Sequence, residues 1–375
     1  MAPSIIAARG ALVTGAPDEG KKCEQRRHRG AGRPGLCCTQ KVPRATMAFS
    51  ELVRQWSPAA AAAVVAWGIL AFFLRHAERL PLDQPNARSL HARPVPRIGG
   101  ASIWAGWLVA VLWISGPKPW LAPLLVVIAI SLWDDRRPLK PAIRFGVHFA
   151  AAALWLWLAA PEVNFLAATL AIVWMANLYN FMDGSDGLAG VMTLLGFGAY
   201  AAAAGLAGAE DAVLFLALAA ATVPFLVRNL PPASVFLGDA GAVPLGFLAA
   251  VFGIAGWNAG WWPSWFPPLV FLPFITDATL TLVFRLFHGD RVWEPHREHS
   301  YQRLVRLGWG HAGTLKLHTV LMLGVVVSAV AALRWAPQSG PALLAAWGAA
   351  LGIVYAVIGY HWRRRRNQGT NESKC

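Results

Sequence analysis

The chain alternates long apolar runs with short polar loops, and the pattern repeats eleven times. The runs fall near residues 58–74, 98–116, 119–133, 142–160, 162–178, 187–208, 211–228, 240–257, 266–287, 315–333 and 341–360. A helix needs about 20 apolar residues to cross a hydrocarbon core of about 30 Å. Several runs are shorter than that, so the third and fifth are expected to extend into their loops. Backbone polar groups inside a bilayer must pair with one another, which leaves helices as the solution for runs of this kind. The expectation is an all-α, polytopic integral membrane protein with about eleven transmembrane helices (10–11). Composition agrees: 56% of residues are hydrophobic and 14% charged, whereas charged residues make up about a quarter of a water-soluble domain. Pro224, Pro244 and Pro273 fall inside apolar runs, where membrane helices tolerate them if neighbours satisfy the freed carbonyls.

The net charge of +14 invites a nucleic-acid reading, but that requires basic residues gathered on one groove or face. Here they are scattered among short loops, and no nucleic acid is expected as a partner. They divide by side instead. Loops after runs 1, 3, 5, 7 and 9 plus the C-terminal tail carry 21 Lys and Arg, adjoining helix ends included, against Lys118 and Arg334 on the opposite side. Positive charge is retained on the cytoplasmic side, so the N-terminus is expected outside, in the periplasm, and the C-terminus in the cytoplasm. Residues 1–46 are polar, Gly- and Arg-rich and without a sustained hydrophobic period, the signature of a disordered extension. Met47 is read as the native start, with 47–362 as the membrane domain and 363–375 as a basic cytoplasmic tail. Cys23, Cys37, Cys38 and Cys375 all lie outside the apolar body and imply no disulfide framework or metal knuckle.

The loop from Gly256 to Phe266 holds Trp257, Trp261, Trp262 and Trp265. This composition fits an interfacial belt in which indole rings sit among headgroups. Ala-rich stretches at 59–63 and 201–204 suit close helix packing in lipid.

The chemistry-bearing loops all fall on the expected cytoplasmic side. Run 3 ends in Trp133-Asp134-Asp135-Arg136-Arg137, two adjacent acids that are costly at an interface unless a cation or proton is shared. Neutralisation by Arg136 and Arg137 is the structural alternative. After run 5, Asn177-Leu178-Tyr179-Asn180-Phe181-Met182-Asp183-Gly184-Ser185-Asp186-Gly187 sets two carboxylates each before a glycine, so backbone can approach a ligand closely. Ordinary turns use the same pairs, but this loop contains no compensating base. Phe236-Leu237-Gly238-Asp239-Ala240-Gly241 precedes an apolar run and puts Asp239 at a helix N-terminus, as an N-cap or as a divalent-metal ligand. Phe236 could stack on a nucleobase or anchor the loop in lipid. The longest inner loop contains His296-Arg297-Glu298-His299-Ser300-Tyr301-Gln302-Arg303-Leu304 and His311. Two histidines three apart on a helix share a face, for zinc or for phosphate, and Arg297, Arg303 and Arg306 nearby favour phosphate. Five carboxylates in three loops suit Mg²⁺, which prefers a few carboxylates completed by diphosphate oxygens.

In these segments the sequence resembles the polyprenyl-phosphate N-acetylhexosamine-1-phosphate transferases over about residues 60–360. The carriers are Ser89-Leu90-His91-Ala92-Arg93-Pro94-Val95-Pro96-Arg97-Ile98-Gly99-Gly100, the Asp134-Asp135 pair, Asn180 to Gly190, Phe236 to Gly241 and His296 to Leu304. The resemblance implies transfer of a sugar 1-phosphate from a UDP-sugar to undecaprenyl phosphate, giving a lipid-diphosphate sugar and UMP. It also implies Mg²⁺ as cofactor, with Mn²⁺ as an alternative, in the bacterial inner membrane with the active site facing the cytoplasm. By the same resemblance Asp239 matches the magnesium-binding aspartate, and Asp134 and Asp135 match the acids at the lipid phosphate. Phe236 matches the aromatic on uracil, Asn180, Asp183 and Asp186 the nucleotide pocket, and His296, His299 and Arg303 the diphosphate or sugar contacts. Ala242 stands where the family commonly has Ser, and the spaced histidines followed by Tyr301-Gln302-Arg303 resemble the O-antigen-initiating branch more than the peptidoglycan enzyme. A homodimer is compatible with the resemblance.

Two other classes make different demands. A secondary transporter places ionisable residues near the bilayer midplane, and the apolar runs hold few acids beyond Asp277. A CDP-alcohol phosphotransferase requires an Arg soon after its Asp-Gly and two further spaced acids, which the segment after Asp186 lacks. A lipid I-forming transferase of peptidoglycan synthesis is the alternative within the family.

Overall fold

In the computed structural model the residues described are 49–76, 82–84, 90, 93–113, 116, 118–291 and 296–372. The proposed extension 1–46, its Met47 start and all four cysteines lie outside the described residues. So do Ser89, His91 and Ala92 of the first motif.

Every apolar run becomes helix. The helices are α1 (Phe49–Arg75), α2 (Gly99–Trp113), α3 (Leu121–Arg136), α4 (Pro141–Ala159), α5 (Phe165–Met182), α6 (Leu188–Leu206) and α7 (Ala212–Asn229). After them come α8 (Asp239–Asn258), α9 (Phe266–Val270), α10 (Leu272–Phe287), α11 (Ser300–Leu304), α12 (Gly310–Trp335) and α13 (Gly340–Glu372). Among the described residues the extended structure is a two-residue antiparallel pair, β1 (Leu82–Asp83) with β2 (Val95–Pro96). Among the described residues eight helical stretches are long and apolar enough to cross a membrane by length and composition. The protein is therefore an all-α, multi-pass membrane protein.

Local sequence explains several boundaries. Pro141 opens α4, where its missing N–H has no partner to lose. Asn164 caps α5 by accepting from Ala167 N at 3.0 Å. The ninth run is two helices, because the chain breaks around Phe271; Pro273 then sits in the first turn of α10 instead of mid-helix as expected. Pro224 and Pro244 do lie inside α7 and α8. α13 has 33 residues, about 50 Å at 1.5 Å per residue, so part of it continues beyond a hydrocarbon core of about 30 Å. The Arg363–Arg366 segment is thus the end of a helix.

Packing follows small residues. α1 lies along α2 and α7 with Ala59, Ala62 and Ala66 buried, and a Cβ at Gly106 would collide with the Ala62 carbonyl. Indole N–H groups inside the bundle are satisfied: Trp104 donates to Ala240 O at 2.7 Å and Trp107 to Leu214 O at 2.9 Å. The tryptophan loop departs from the belt reading. Trp262 and Trp265 are buried, and Trp262 stacks on Tyr200 with ring centroids 4.8 Å apart. Only Trp257 of this group is well exposed, at 45%.

Candidate active site

The end of α3, the start of α4, the loop after α5 and the start of α8 meet at one end of the bundle. Backbone bonds tie the first motif to this place. Phe236 N donates to Pro96 O, Gly99 N to Phe236 O and Gly100 N to Leu237 O, each at 2.9 Å. The first N–H groups of α2 are thereby satisfied by the loop before α8. A Cβ at Gly100 would collide with the Gly241 backbone, which is why glycine stands there.

Five carboxylates and two guanidiniums occupy the junction. Asp134 accepts from Leu139 N at 2.6 Å and pairs with Arg144 at 2.7 Å. The same Arg144 nitrogen lies 3.6 Å from Asp239. Asp135 accepts from Asp239 N at 3.2 Å and Ala240 N at 2.9 Å, and Arg97 stands 3.7 Å away. Arg97 is also paired with Asp83 at 2.8 Å. Burial opposes the Arg97 charge, but Asp83, then Asp135 and Asp239, outweigh it and hold its pKa above the ordinary value.

Two alternatives left by the sequence are resolved here. Asp239 is not the cap of α8: Gly238, at φ +76°, occupies that position, and the free N–H groups go to Asp135. The Asp239 carboxylate caps no helix and has Arg144 beside it at 3.6 Å. Nor do the adjacent arginines neutralise the acid pair. Arg136 donates to Leu132 O within its own helix, while the partners of Asp134 and Asp135 come from α4 and from β2's end.

Asp183 belongs to the same cluster. Its pKa is raised well above the usual carboxylate range, first by burial and then by the charge of Asp239. Asn180 closes the last turn of α5 through its carbonyl, which accepts from Asp183 N. The half-buried ring of Phe236 lies on the neighbouring loop. Asp186 accepts from Ala233 N at 3.0 Å and faces His311 Nδ1 at 3.4 Å. It holds two loops together.

A second group adjoins Asp183. His296 and His299 lie side by side with ring centroids 4.8 Å apart, but they precede α11 and do not ride one helical face. Phe181 stacks on His299, and Tyr301 donates to Phe181 O at 2.9 Å. A Cβ at Gly184 would collide with the Tyr301 hydroxyl. Burial lowers the pKa of both imidazoles, that of His296 to about 3 with His299 and then Arg285 and Arg303 adding to the effect. Both are neutral at pH 7, and both have a buried Nδ1 without a hydrogen-bond partner among the described residues, that of His299 lying 3.9 Å from Asp277. Arg303 lies 3.9 Å from Glu298. Asp277, fully buried, accepts from Ser300 N at 2.8 Å and Tyr301 N at 3.2 Å. It anchors the histidine arm, a task that accounts for the one acid inside the ninth run.

Among the described residues no three His, Cys, Asp or Glu side chains converge to hold a metal by themselves. The residues present fit a divalent cation completed by substrate oxygens: the charge of Asp239 opposes ionisation of Asp183, and both carboxylates are partly exposed.

The model of glycosyl transferase family 4 matches residues 119–257, from the start of α3 to the end of α8. A putative glycosyltransferase of Streptomyces coelicolor is 32% identical over 79% of this chain and 74% of its own length. The chain belongs to this family of polyprenyl-phosphate N-acetylhexosamine-1-phosphate transferases. Two further relatives of this family-4 transferase carry more specific names. The probable undecaprenyl-phosphate N-acetylglucosaminyl 1-phosphate transferase of Bacillus subtilis is 26% identical over 66% of this chain and 75% of its own. The undecaprenyl-phosphate alpha-N-acetylglucosaminyl 1-phosphate transferase of Escherichia coli is 27% identical over 64% and 74%. The match covers the helices that carry Asp134, Asp135, Asp183 and Asp239. Arg144, Arg97 and Tyr301 complete the transferase's cluster; they stand inside or beside the motifs, but which acids they pair with is a property of the fold.

Proposed function

We propose that the protein transfers an N-acetylhexosamine or 6-deoxy-N-acetylhexosamine 1-phosphate from a UDP-sugar to undecaprenyl phosphate. The products would be undecaprenyl-diphosphate sugar and UMP. The observation that carries this is the convergence of Asp134, Asp135, Asp183 and Asp239 with Arg97 and Arg144 at one end of a membrane bundle. Such a junction brings a lipid phosphate and a nucleotide diphosphate together at a membrane surface. By loop charge that surface is the cytoplasmic face of the bacterial inner membrane.

An oxygen of the lipid phosphate attacks the phosphorus attached to the sugar, and the bond to the UMP phosphate breaks. The attacking phosphate is already an anion near neutral pH, so Asp134, engaged by Arg144 and Leu139 N, serves as a positioning group and need not act as a base. Mg²⁺, or Mn²⁺, held by Asp239 and Asp183 would offset the charge developing on UMP. The neutral imidazoles of His296 and His299 donate or accept hydrogen bonds, while Arg303 supplies positive charge to the donor's diphosphate. Phe236 presents a ring to uracil. Two relatives are named for N-acetylglucosaminyl 1-phosphate transfer to undecaprenyl phosphate; the role read for this chain is priming of an O-antigen or another surface polysaccharide.

The test is UMP release from purified protein with undecaprenyl phosphate and a panel of UDP-N-acetylhexosamines, with Mg²⁺ or EDTA, beside Asp239→Asn. Lipid-dependent release that EDTA and the variant abolish is expected. No release with any donor from folded protein would refute the assignment.

A further inference from the structure

Next to the carboxylates α3, α4 and α8 close on a narrow cleft with no room for a water molecule in this structure, so a ligand there must part the helices to enter. Ser131 and Asp134 line it from α3, Arg144 and His148 from α4, and Asp239 and Val243 from α8. His148 is the unexplained member. It is 3% exposed, and its Nδ1 is buried without a hydrogen-bond partner among the described residues. A buried polar atom left unpaired is costly, and such an atom in a native fold calls for a ligand or a water.

Position narrows the choice. His148 follows Arg144 by four residues on α4, so imidazole and guanidinium share one helical face. Among the described residues Arg144 reaches Asp134 and Asp239 through a single nitrogen, Nη1, which leaves further donors of a five-donor group to meet an anion. His148 lies seven residues into α4, about 10 Å along its axis at 1.5 Å per residue, on the side of the cluster nearer the apolar interior. A ligand touching both groups has an anionic head and an apolar body. A nucleotide meets the first condition and fails the second.

We propose that His148, with Arg144 beside it, binds the phosphate monoester head of the acceptor lipid. The inference rests on the transferase assignment and adds the residue that recognises the acceptor. His148 donates one hydrogen bond to a phosphate oxygen, Arg144 turns its remaining donors to the same head, and the attacking oxygen is thereby held beside Asp134 and Asp239. The imidazole distinguishes acceptor from donor, because the histidine arm that faces the donor comes from a different part of the chain.

The experiment measures binding of farnesyl phosphate, farnesol and UDP to the full chain in nanodiscs, for wild type, His148→Phe and His148→Gln. Wild type is expected to bind farnesyl phosphate in preference to farnesol. His148→Phe should weaken farnesyl phosphate by roughly tenfold or more, and His148→Gln, which keeps a hydrogen-bonding group, by about threefold or less. UDP binding should be the same in all three. Equal farnesyl phosphate binding by wild type and His148→Phe would overturn the proposal, as would no preference over farnesol. A matching loss of UDP binding would also overturn it, by making His148 a packing residue whose orphan nitrogen is met by water. UMP release is read separately: its absence with every donor while the binding pattern holds would sink the transferase assignment alone.

Discussion

Asp135 on α3 takes the two backbone N–H groups at the start of α8, those of Asp239 and Ala240, at 3.2 and 2.9 Å. A carboxylate from one helix thus caps another and fixes where the next acid points. The two aspartates should separate in experiment. Asp135→Ala removes a cap and is expected to cost about 1–2 kcal/mol of stability, visible as a lower melting temperature in detergent, together with lost turnover. Asp239→Asn keeps its backbone donor and should melt close to wild type while UMP release drops at least about a hundredfold. Equal destabilisation by both substitutions would contradict this division of labour.

Asp277 accepts Ser300 N and Tyr301 N in a fully buried setting. Asp277→Leu strands two buried donors, each worth about 1–3 kcal/mol. The amides of Ser300 and Tyr301 should then exchange with deuterium much faster than those of α5 or α8. Tyr301→Phe, which loses the bond to Phe181 O, should loosen the same arm less. If Asp277 instead carried a transported ion or proton, the exchange pattern would stay and an ion flux would disappear.

Asp183 is raised well above the usual carboxylate range by burial and by Asp239. The sign for cation binding follows: a proton and a divalent cation compete for this carboxylate, so Mg²⁺ affinity should fall as pH falls through the raised value. For the cation-free protein the sign is reversed. A carboxyl whose folded pKa lies above its unfolded one contributes stability at low pH that is lost as pH rises through the folded pKa. Mg²⁺ titrations across pH test the first statement and melting temperatures across pH without Mg²⁺ test the second, each beside Asp183→Asn. An affinity that does not change on acidification would contradict the first.

How much of this was legible in the sequence depended on what lipid hides. The eleven apolar runs are plain because a crossing helix needs length and apolarity, and each run became helix. Asp134, Asp135, Asp183 and Asp239 stood out because acids at run ends are rare. Asp186 carried the same Asp-Gly signal as Asp183, and the fold gives it Ala233 N and His311 as neighbours; a one-dimensional pattern does not show which partners a loop acid takes. The belt reading failed at Trp262 and Trp265 because a lipid-facing and a core-facing indole are equally apolar in sequence. The pairing of Arg144 with Asp134 across ten residues, and of Arg97 with Asp135 across a whole helix, is set by packing that periodicity does not encode.

The last prediction concerns His296, whose pKa burial lowers to about 3, with the charges of its neighbours adding to it. The ordinary histidine value is about 6.5, so between about 3 and 6.5 the unfolded chain binds a proton that the folded one refuses. Stability from this residue is therefore present above the unfolded value and lost as pH falls through that window, opposite in sign to Asp183. His296→Gln should flatten the acid side of the stability profile, measured by melting temperature between about pH 4 and pH 7. Binding of a diphosphate next to the ring favours the charged imidazole and should move its titration upward, a change that proton NMR of the ring resolves on adding UDP. A His296 resonance that already titrates near 6.5 without ligand would show that the ring is solvated, and would remove it from the neutral donor-facing pair.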